Sequence, residues 1–414
     1  MLLAPAIRQL TDRLVSFNRF LYLLLAQALA GVLAIVFSSG RLEPLSSGVV
    51  VTTLSFIQWQ IFGVTLAKFG MDQVAFSAAG KNPAFRSDAG RFSLTFAAPS
   101  ALMVALASLS VFSIPLALAI FVTLIIDVYS VIKVAEHNGK RDYLTAIVAA
   151  FFNYPFFYIS IILAAYFFPL TDMGVALAFV TASFLRFVFI LAREAKFRAS
   201  SQSHSFVISY SIVIQQLLNY FLFRGDQILI GYLHSPANAQ SSSRTVLQEY
   251  LYFAKFPEIL SGFFVAAASF IFVGNFLRSS DLAREDALAL IRSNARLILL
   301  VSVSIVLMFI AYSFFYKHDE LPALAKAAFI LQAILILPVN LATYSMMREE
   351  RIGAIVENLG ISLAIALSSA LLIFWLAPAQ LINWLSWLVA AQMGLFIFLC
   401  LHRSWGTRKA MYAA

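Results

Sequence analysis

FLYLLLAQALAGVLAIVF, residues 20–37, is an apolar run interrupted by one polar side chain, Gln27. At about 1.5 Å of rise per residue, a helix of this length covers most of the roughly 30 Å hydrocarbon core of a bilayer. Arg8, Arg13 and Arg19 precede the run, and Ala26-Gln27-Ala28-Leu29-Ala30 mimics a signal-peptidase site. The run is nevertheless too long for the core of a signal peptide, so it reads as an uncleaved first span. Working outward, similar runs recur. Spans are expected near 17–38, 46–67, 92–113, 114–135, 143–168, 173–192, 206–233, 246–277, 294–316, 322–346, 352–377 and 380–401. The third and fourth are separated only by Ser110 to Pro115.

Composition agrees. The chain is 61% hydrophobic and 12% charged, against about 25% charged in soluble domains. A water-soluble core cannot absorb that much apolar surface, so the bilayer is the solvent. The net charge of +9 would suit nucleic acid, but its distribution points elsewhere. Arg8 and Arg13 lie before the first span. Lys68, Lys81, Arg86 and Arg91 follow the second, Lys133, Lys140 and Arg141 the fourth, and Arg193, Lys196 and Arg198 the sixth. Arg278, Arg284, Arg292 and Arg296 follow the eighth, Arg348 and Arg351 the tenth, and Arg403, Arg408 and Lys409 the last. The alternate connections hold only Arg41, Arg244, Lys317 and Lys326. This is the positive-inside pattern, and it places both termini in the cytoplasm. No nucleic-acid partner is implied.

The polar, Ser-rich segment Arg193 to His204 divides the spans into six and six. The expected fold class is therefore all-α: a polytopic membrane protein with about twelve transmembrane helices, in two six-helix bundles related by pseudo-two-fold symmetry. The boundary puts one bundle at 1–198 and the other at 199–414. Gly80 to Arg91 after the second span and Gly274 to Arg292 after the eighth echo each other as basic, amphipathic elbows. Within the second, residues 281–293 set Leu282, Ala287, Leu288, Leu290 and Ile291 among charges. Duplicated halves of this kind are typical of secondary transporters, with the substrate path between repeats.

The connections exclude most enzymes. The longest non-cytoplasmic one, near His234 to Glu249, holds Ser241, Ser242 and Ser243 but no pair of carboxylates. No Gly-rich phosphate loop ending in Lys-Ser/Thr occurs, so the chain does not hydrolyse ATP itself. Cys400 is the single cysteine, and His137, His204, His234, His318 and His402 have no metal-ligand spacing. No cofactor or metal is expected.

Charges inside spans are functional candidates because burying them in hydrocarbon is expensive. The seventh span is the densest. Gln215, Asn219 and Asp226 share one helical face, and Gln216, Tyr220 and Arg224 the next. Lipid cannot face such a stripe, so it points at a partner helix or a wet cavity. The eighth span sets Lys255 and Glu258 one turn apart around Pro257, and broken helices often mark transporter sites. One reading is a hydrated cavity in which Arg224 and Lys255 bind an anionic head group, Arg offering a planar fork of donors. Asp226 and Glu258 then orient the cations or take up a coupling ion. The other reading is a plain interhelical lock, Asp226 with Lys255 or Arg224 with Glu258.

Asp127, beside Tyr129 in the fourth span, and Arg186 in the sixth are the deep charges of the first half, as a coupling site or a structural ion pair. Arg19 aligns with Gln27 two turns on and is either a ligand or a snorkelling flank. Glu357 is expected at an interface, and Trp384 and Trp387 at an outer edge. Asn153 before Pro155, and Asn340 after Pro338, mark further helix breaks.

Leu66-Ala67-Lys68-Phe69-Gly70-Met71-Asp72 resembles the corresponding stretch of bacterial polysaccharide flippases of the Wzx type, within the MATE-like multidrug/oligosaccharidyl-lipid/polysaccharide exporter superfamily. So does Asp226-Gln227-Ile228-Leu229-Ile230-Gly231-Tyr232-Leu233. An aromatic residue at the start of the eighth span usually follows in that family, and Tyr250 or Tyr252, ahead of Ala254-Lys255, matches it. Pro338-Val339-Asn340 through Arg351 is similar to the tenth-to-eleventh connection. The resemblance implies two six-helix bundles around a cationic central cavity in the bacterial cell inner membrane. The implied substrate is an undecaprenyl-pyrophosphate-linked oligosaccharide whose lipid tail stays in the bilayer. A monomer is expected, with a glycan polymerase as a possible partner. The connection from Leu233 to Tyr250 is longer than that family's pattern, and the deep basic set is sparser.

Four other classes stand beside this one. A proton- or sodium-coupled small-molecule exporter of the MATE type shares the architecture and would want a tight acidic site in the first half, where Asp127 is the deep acid. A membrane polymerase or glycosyltransferase would want a larger outer loop. A major-facilitator transporter would carry Gly-x-x-x-Asp-Arg/Lys-x-Gly after the second span, which Gly70-Met71-Asp72 does not supply. A non-transporting scaffold would not need the buried polar stripe.

Overall fold

The computed structural model describes residues 22, 25–26, 28–43, 45–82, 84–140, 142–195, 203–204, 210–234, 244–276, 295–316, 321–348, 352–376 and 381–413. Arg19, Gln27 and the elbow at 281–293 lie outside the described residues. Every expected span contains a helix. In chain order these are α1 (Ala28–Ser38), α2 (Ser47–Ala67), α3 (Met71–Lys81), α4 (Ala89–Ser108), α5 (Ile114–Gly139), α6 (Tyr143–Phe152), α7 (Tyr154–Phe167) and α8 (Asp172–Ala195). Then follow α9 (Tyr210–His234), α10 (Arg244–Phe276), α11 (Ala295–Ser313), α12 (Ala323–Arg348), α13 (Ile352–Leu376) and α14 (Leu381–Ala413). Among the described residues, eight helical segments, one of them α6 and α7 together, are long and apolar enough to cross a membrane. Their outer faces are greasy: Trp375 is 84% exposed and Leu94 72%. Large apolar groups on that scale need lipid around them. The chain is a multi-pass, all-α membrane protein.

The stretch Leu66–Asp72 is a corner. Phe69 (φ 47°) and Gly70 (φ 73°) both take the left-handed conformation, which glycine adopts freely and phenylalanine does not. The Met71 amide closes the corner on the Lys68 carbonyl at 2.8 Å, and Lys68 Nζ pairs with Asp72 across it at 2.7 Å. The corner releases α3, so the helical elbow lies at Met71–Lys81. This is earlier than the Gly80–Arg91 stretch where charge alone placed it. That stretch instead carries a two-residue strand, β1 (Arg86–Ser87), and the start of α4. β1 pairs in parallel with β2 (Ser203–His204), Arg86 opposite Ser203 and Ser87 opposite His204. Within α4, Ser93–Ala97 form a π-helical turn.

The proline positions behave differently from one another. At Asn153 (φ −78°, ψ −106°) the fifth span breaks into α6 and α7, with Pro155 in the first turn of α7. Pro257 and Pro338, expected as breaks, lie inside continuous helices. A proline removes one donor and frees one carbonyl, and packed neighbours in a membrane protein re-satisfy the helix around it.

The chain forms two compact units, Met1–Ala34 with Trp59–Ile208, and Ile35–Gln58 with Ser209–Ala414. In the first, α5 is the central helix, packed by α3, α4, α6 and α8. Gly139 permits the close approach of α3: a Cβ there would meet the Phe76 carbonyl and stand 3.0 Å from Ala79 Cβ. In the second unit, α12 packs on α10 and α14, and α13 on α9 and α14. Leu222, Ile336, Val339, Leu359, Met393 and Phe396 fill the centre, with Cys400 buried beside them. An aromatic cluster joins α10 and α11. The Tyr252 and Tyr312 rings stack at 4.4 Å, and each hydroxyl donates to the other residue's backbone carbonyl. Arg41 finishes α11, donating to the Phe314 and Phe315 carbonyls at 2.7 and 2.5 Å.

Candidate functional site

The charged residues of α9 and α10 converge on one carboxylate. Glu258 takes Lys255 Nζ at 2.6 Å, Arg224 Nη2 at 3.2 Å and the Gln58 side-chain amide at 3.2 Å. Lys255 and Glu258 meet because a three-residue step puts them on one helical face. Arg224 reaches across from α9. Tyr220 braces the arrangement by donating to the Gln58 carbonyl at 2.9 Å. Of the two locks considered from sequence, Arg224–Glu258 is present and Asp226–Lys255 is replaced. Lys255 joins Arg224 on Glu258, and Asp226 accepts from the Tyr250 hydroxyl at 2.6 Å. The Asp226 side chain is thus hydrogen-bonded to a neutral hydroxyl. Of Tyr250 and Tyr252, Tyr250 is the one bonded to Asp226, while the Tyr252 hydroxyl donates to the Tyr312 carbonyl.

Burial separates the two cations. The Lys255 side chain is 3% exposed and that of Arg224 24%. Lys255 is enclosed, and Arg224 is the more accessible of the two cations. Beside it lies a cavity of about 10 Å³, lined by Arg224, Pro257, Glu258, Ser261, Gln332 and Met393 among others. That is space for about one water molecule. Gln215 is fully buried and its amide atoms have no hydrogen-bond partner among the described residues. Gln216 is buried and Asn219 half-buried on the same helix.

In the first unit, Asp127 and Arg186 form a buried ion pair between α5 and α8. The Gln60 amide adds a bond to Asp127 at 3.1 Å. Glu357 is exposed and pairs with Arg403 at 2.5 Å. Trp387 donates to the Leu324 carbonyl at 3.0 Å. Asn340 bonds back to the Ile336 carbonyl at 3.0 Å, within its own helix.

Two charged arrangements were not visible in the sequence. Glu249, fully buried, accepts from Lys326 and from the Leu321 amide, both at 2.8 Å. At the end of α5, His137 stands between Asp142 and Glu194, with Lys133, Glu136 and Lys140 alongside. The available signal was the three- and four-residue spacing of Lys133, Glu136, His137 and Lys140, which one helical face satisfies.

No protein-family model matches the sequence, and no curated protein does. In structure, the chain is similar to a eukaryotic MATE transporter, AtDTX14. The TM-score is 0.63 at 14% identity, covering 94% of this chain and 95% of that one. It also aligns with a MATE P26A mutant at a TM-score of 0.40 and 12% identity, covering 95% and 96%. The first of these defines the fold: this chain has the MATE architecture.

Proposed function

We propose that the chain is a flippase that carries a polyprenyl-pyrophosphate-linked oligosaccharide across a bacterial inner membrane by alternating access. The observation that carries this reading is the Glu258 hub. A single carboxylate holds two cations inside a membrane protein of MATE architecture, and one of them, Arg224, remains within reach of a ligand. A diphosphate offers paired oxygens that match the guanidinium fork. It would compete with Glu258 for Arg224 while Lys255 keeps the carboxylate in place. The resemblance of Leu66–Asp72 and Asp226–Leu233 to polysaccharide flippases supports the same substrate class. The lipid tail stays in the bilayer, and the work is shared with a glycan polymerase. A second reading, small-molecule export, is favoured by the likeness to a MATE transporter.

The test is complementation of a strain that lacks this gene. Wild type restores surface glycan. Arg224→Ala lowers glycan display by an order of magnitude or more with the protein still in the membrane, since hydrogen bonds to charged groups are worth about 1.5–3 kcal/mol. Arg224→Lys restores display only partly, because a point charge cannot present the fork. Full display by an Arg224→Ala, Lys255→Ala double variant overturns the reading. Drug extrusion without any effect on glycan selects the exporter.

The orientation is proposed from the loop charges. A reporter fused after Ser242 should read as periplasmic and one after Ala283 as cytoplasmic, because alternate connections carry the basic excess. The reverse pattern refutes cytoplasmic termini.

A further inference from the structure

The second polar arrangement of the first unit is built around His137. Its Nδ1 lies 3.1 Å from Asp142 Oδ2 and its Nε2 3.1 Å from Glu194 Oε1. An ionised carboxylate only accepts hydrogen bonds. Both ring nitrogens must therefore donate, and only the imidazolium has two N–H groups. Asp142 is kept ionised: its carboxyl is held well below the usual carboxylate range. The His137 hydrogen bond is the largest cause, ahead of the burial that opposes it, with Thr145 and Arg193 assisting.

The two carboxylates belong to different elements. Asp142 is in the connection from α5 to α6, and Glu194 is in the last turn of α8. Around the ring the bonding continues. Lys133 reaches Glu194 and Glu136 at 3.2 Å each and the Ser87 carbonyl at 2.9 Å. Glu136 accepts from the Ser87 amide at 2.9 Å, the Ser87 hydroxyl at 2.6 Å and Lys140 at 2.6 Å. Ser87 belongs to β1, whose partner β2 lies on the chain between α8 and α9. Two anchors thus hold the exit from α8, one at Glu194 and one through the β1–β2 ladder.

We propose that His137 is a proton-operated clamp that fastens the end of α8, and the chain leading on to α9, to α5. With the proton in place both arms are closed. When the ring loses it, one nitrogen becomes an acceptor facing a carboxylate and that arm opens. Lys133 keeps a second hold on Glu194 at 3.2 Å, so loss of the proton loosens the end of α8 without releasing it altogether. Lys133, Lys140 and Arg193 balance Glu136, Asp142 and Glu194, three against three. From α3 the described charge is Asp72, engaged by Lys68. α6 contributes Thr145. β1 and the start of α4 contribute Arg86 and Arg91, with Asp88 accepting from the Arg91 backbone amide.

Hydrogen exchange of the full-length protein in lipid nanodiscs tests the clamp, with rates corrected for intrinsic pH dependence. Between about pH 5.5 and about pH 9.5, a range that brackets histidine titration, peptides covering 187–195 and 85–92 should speed up about tenfold, as expected for the loss of a charged hydrogen bond. His137→Gln, which never carries the charge, should exchange fast at both ends with no step. Glu194→Gln and Asp142→Asn each remove one arm and should move the step to lower pH. Equal corrected exchange in the wild type at both ends, or a step that survives in His137→Gln, overturns the clamp. Should His137→Gln not fold, the wild-type and Glu194→Gln profiles decide the matter.

Discussion

Glu258→Gln should destabilise the folded protein by about 3–5 kcal/mol, the usual penalty for removing one partner of a buried ion pair. Glu258 is the shared acceptor of Arg224, Lys255 and the Gln58 amide. The amide that replaces it can accept one hydrogen bond but neutralises neither cation. Lys255 suffers most, because its side chain is almost wholly enclosed. Arg224, partly exposed, can be hydrated. Adding Lys255→Met to Glu258→Gln should therefore recover most of the loss, since it removes the stranded charge and keeps an apolar stem of similar length. Reversible unfolding in detergent reads both effects. An unfolding midpoint for Glu258→Gln that matches the wild type would show that the hub is not the anchor described above.

Asp127→Asn should have a comparable effect in the other unit, about 3–5 kcal/mol. Arg186 is then left between α5 and α8 without a counter-charge, and the Gln60 amide loses an ionised acceptor. Replacing both partners, Asp127→Leu with Arg186→Leu, should bring stability back close to the wild type, because the buried charges leave together. Their positive coupling in the double-mutant cycle is the quantity to measure. The same double variant separates the two roles considered for this pair. A stable protein that still exports its substrate identifies an interhelical lock. A stable protein that exports nothing identifies a coupling site.

The helices were legible because hydropathy is a one-dimensional signal: a run such as 20–37 or 114–135 has few other solutions. Asp127 and Arg186 were legible for a related reason, being isolated opposite charges deep in apolar spans of the same half. Partner choice was harder to read. Asp226 and Lys255 looked complementary by charge, yet a tyrosine hydroxyl took Asp226 while Lys255 settled one turn away on Glu258. Tyrosine carries no charge to attract attention, and the three-residue helical contact outcompetes a longer reach. The His137 arrangement was hidden for the opposite reason. Its members sit at span ends, where basic and acidic residues are ordinary flanks, and Glu194 lies 57 residues from His137. The π-turn at Ser93–Ala97 and the unbroken course of α10 through Pro257 depend on packing, which no local pattern encodes.

The paired tyrosines at 252 and 312 have a mechanical consequence. Each phenol is bonded to the backbone of the other's helix, so the contact carries two fasteners of opposite direction at one level. Sliding one helix along the other by a single residue, about 1.5 Å, would strain both at once, and twisting would part the stacked rings. α10 and α11 are therefore bolted at this point like two struts sharing a pin. Any rearrangement that carries α10 must take the end of α11 with it, and flexure has to be sought in helices that lack such a pin.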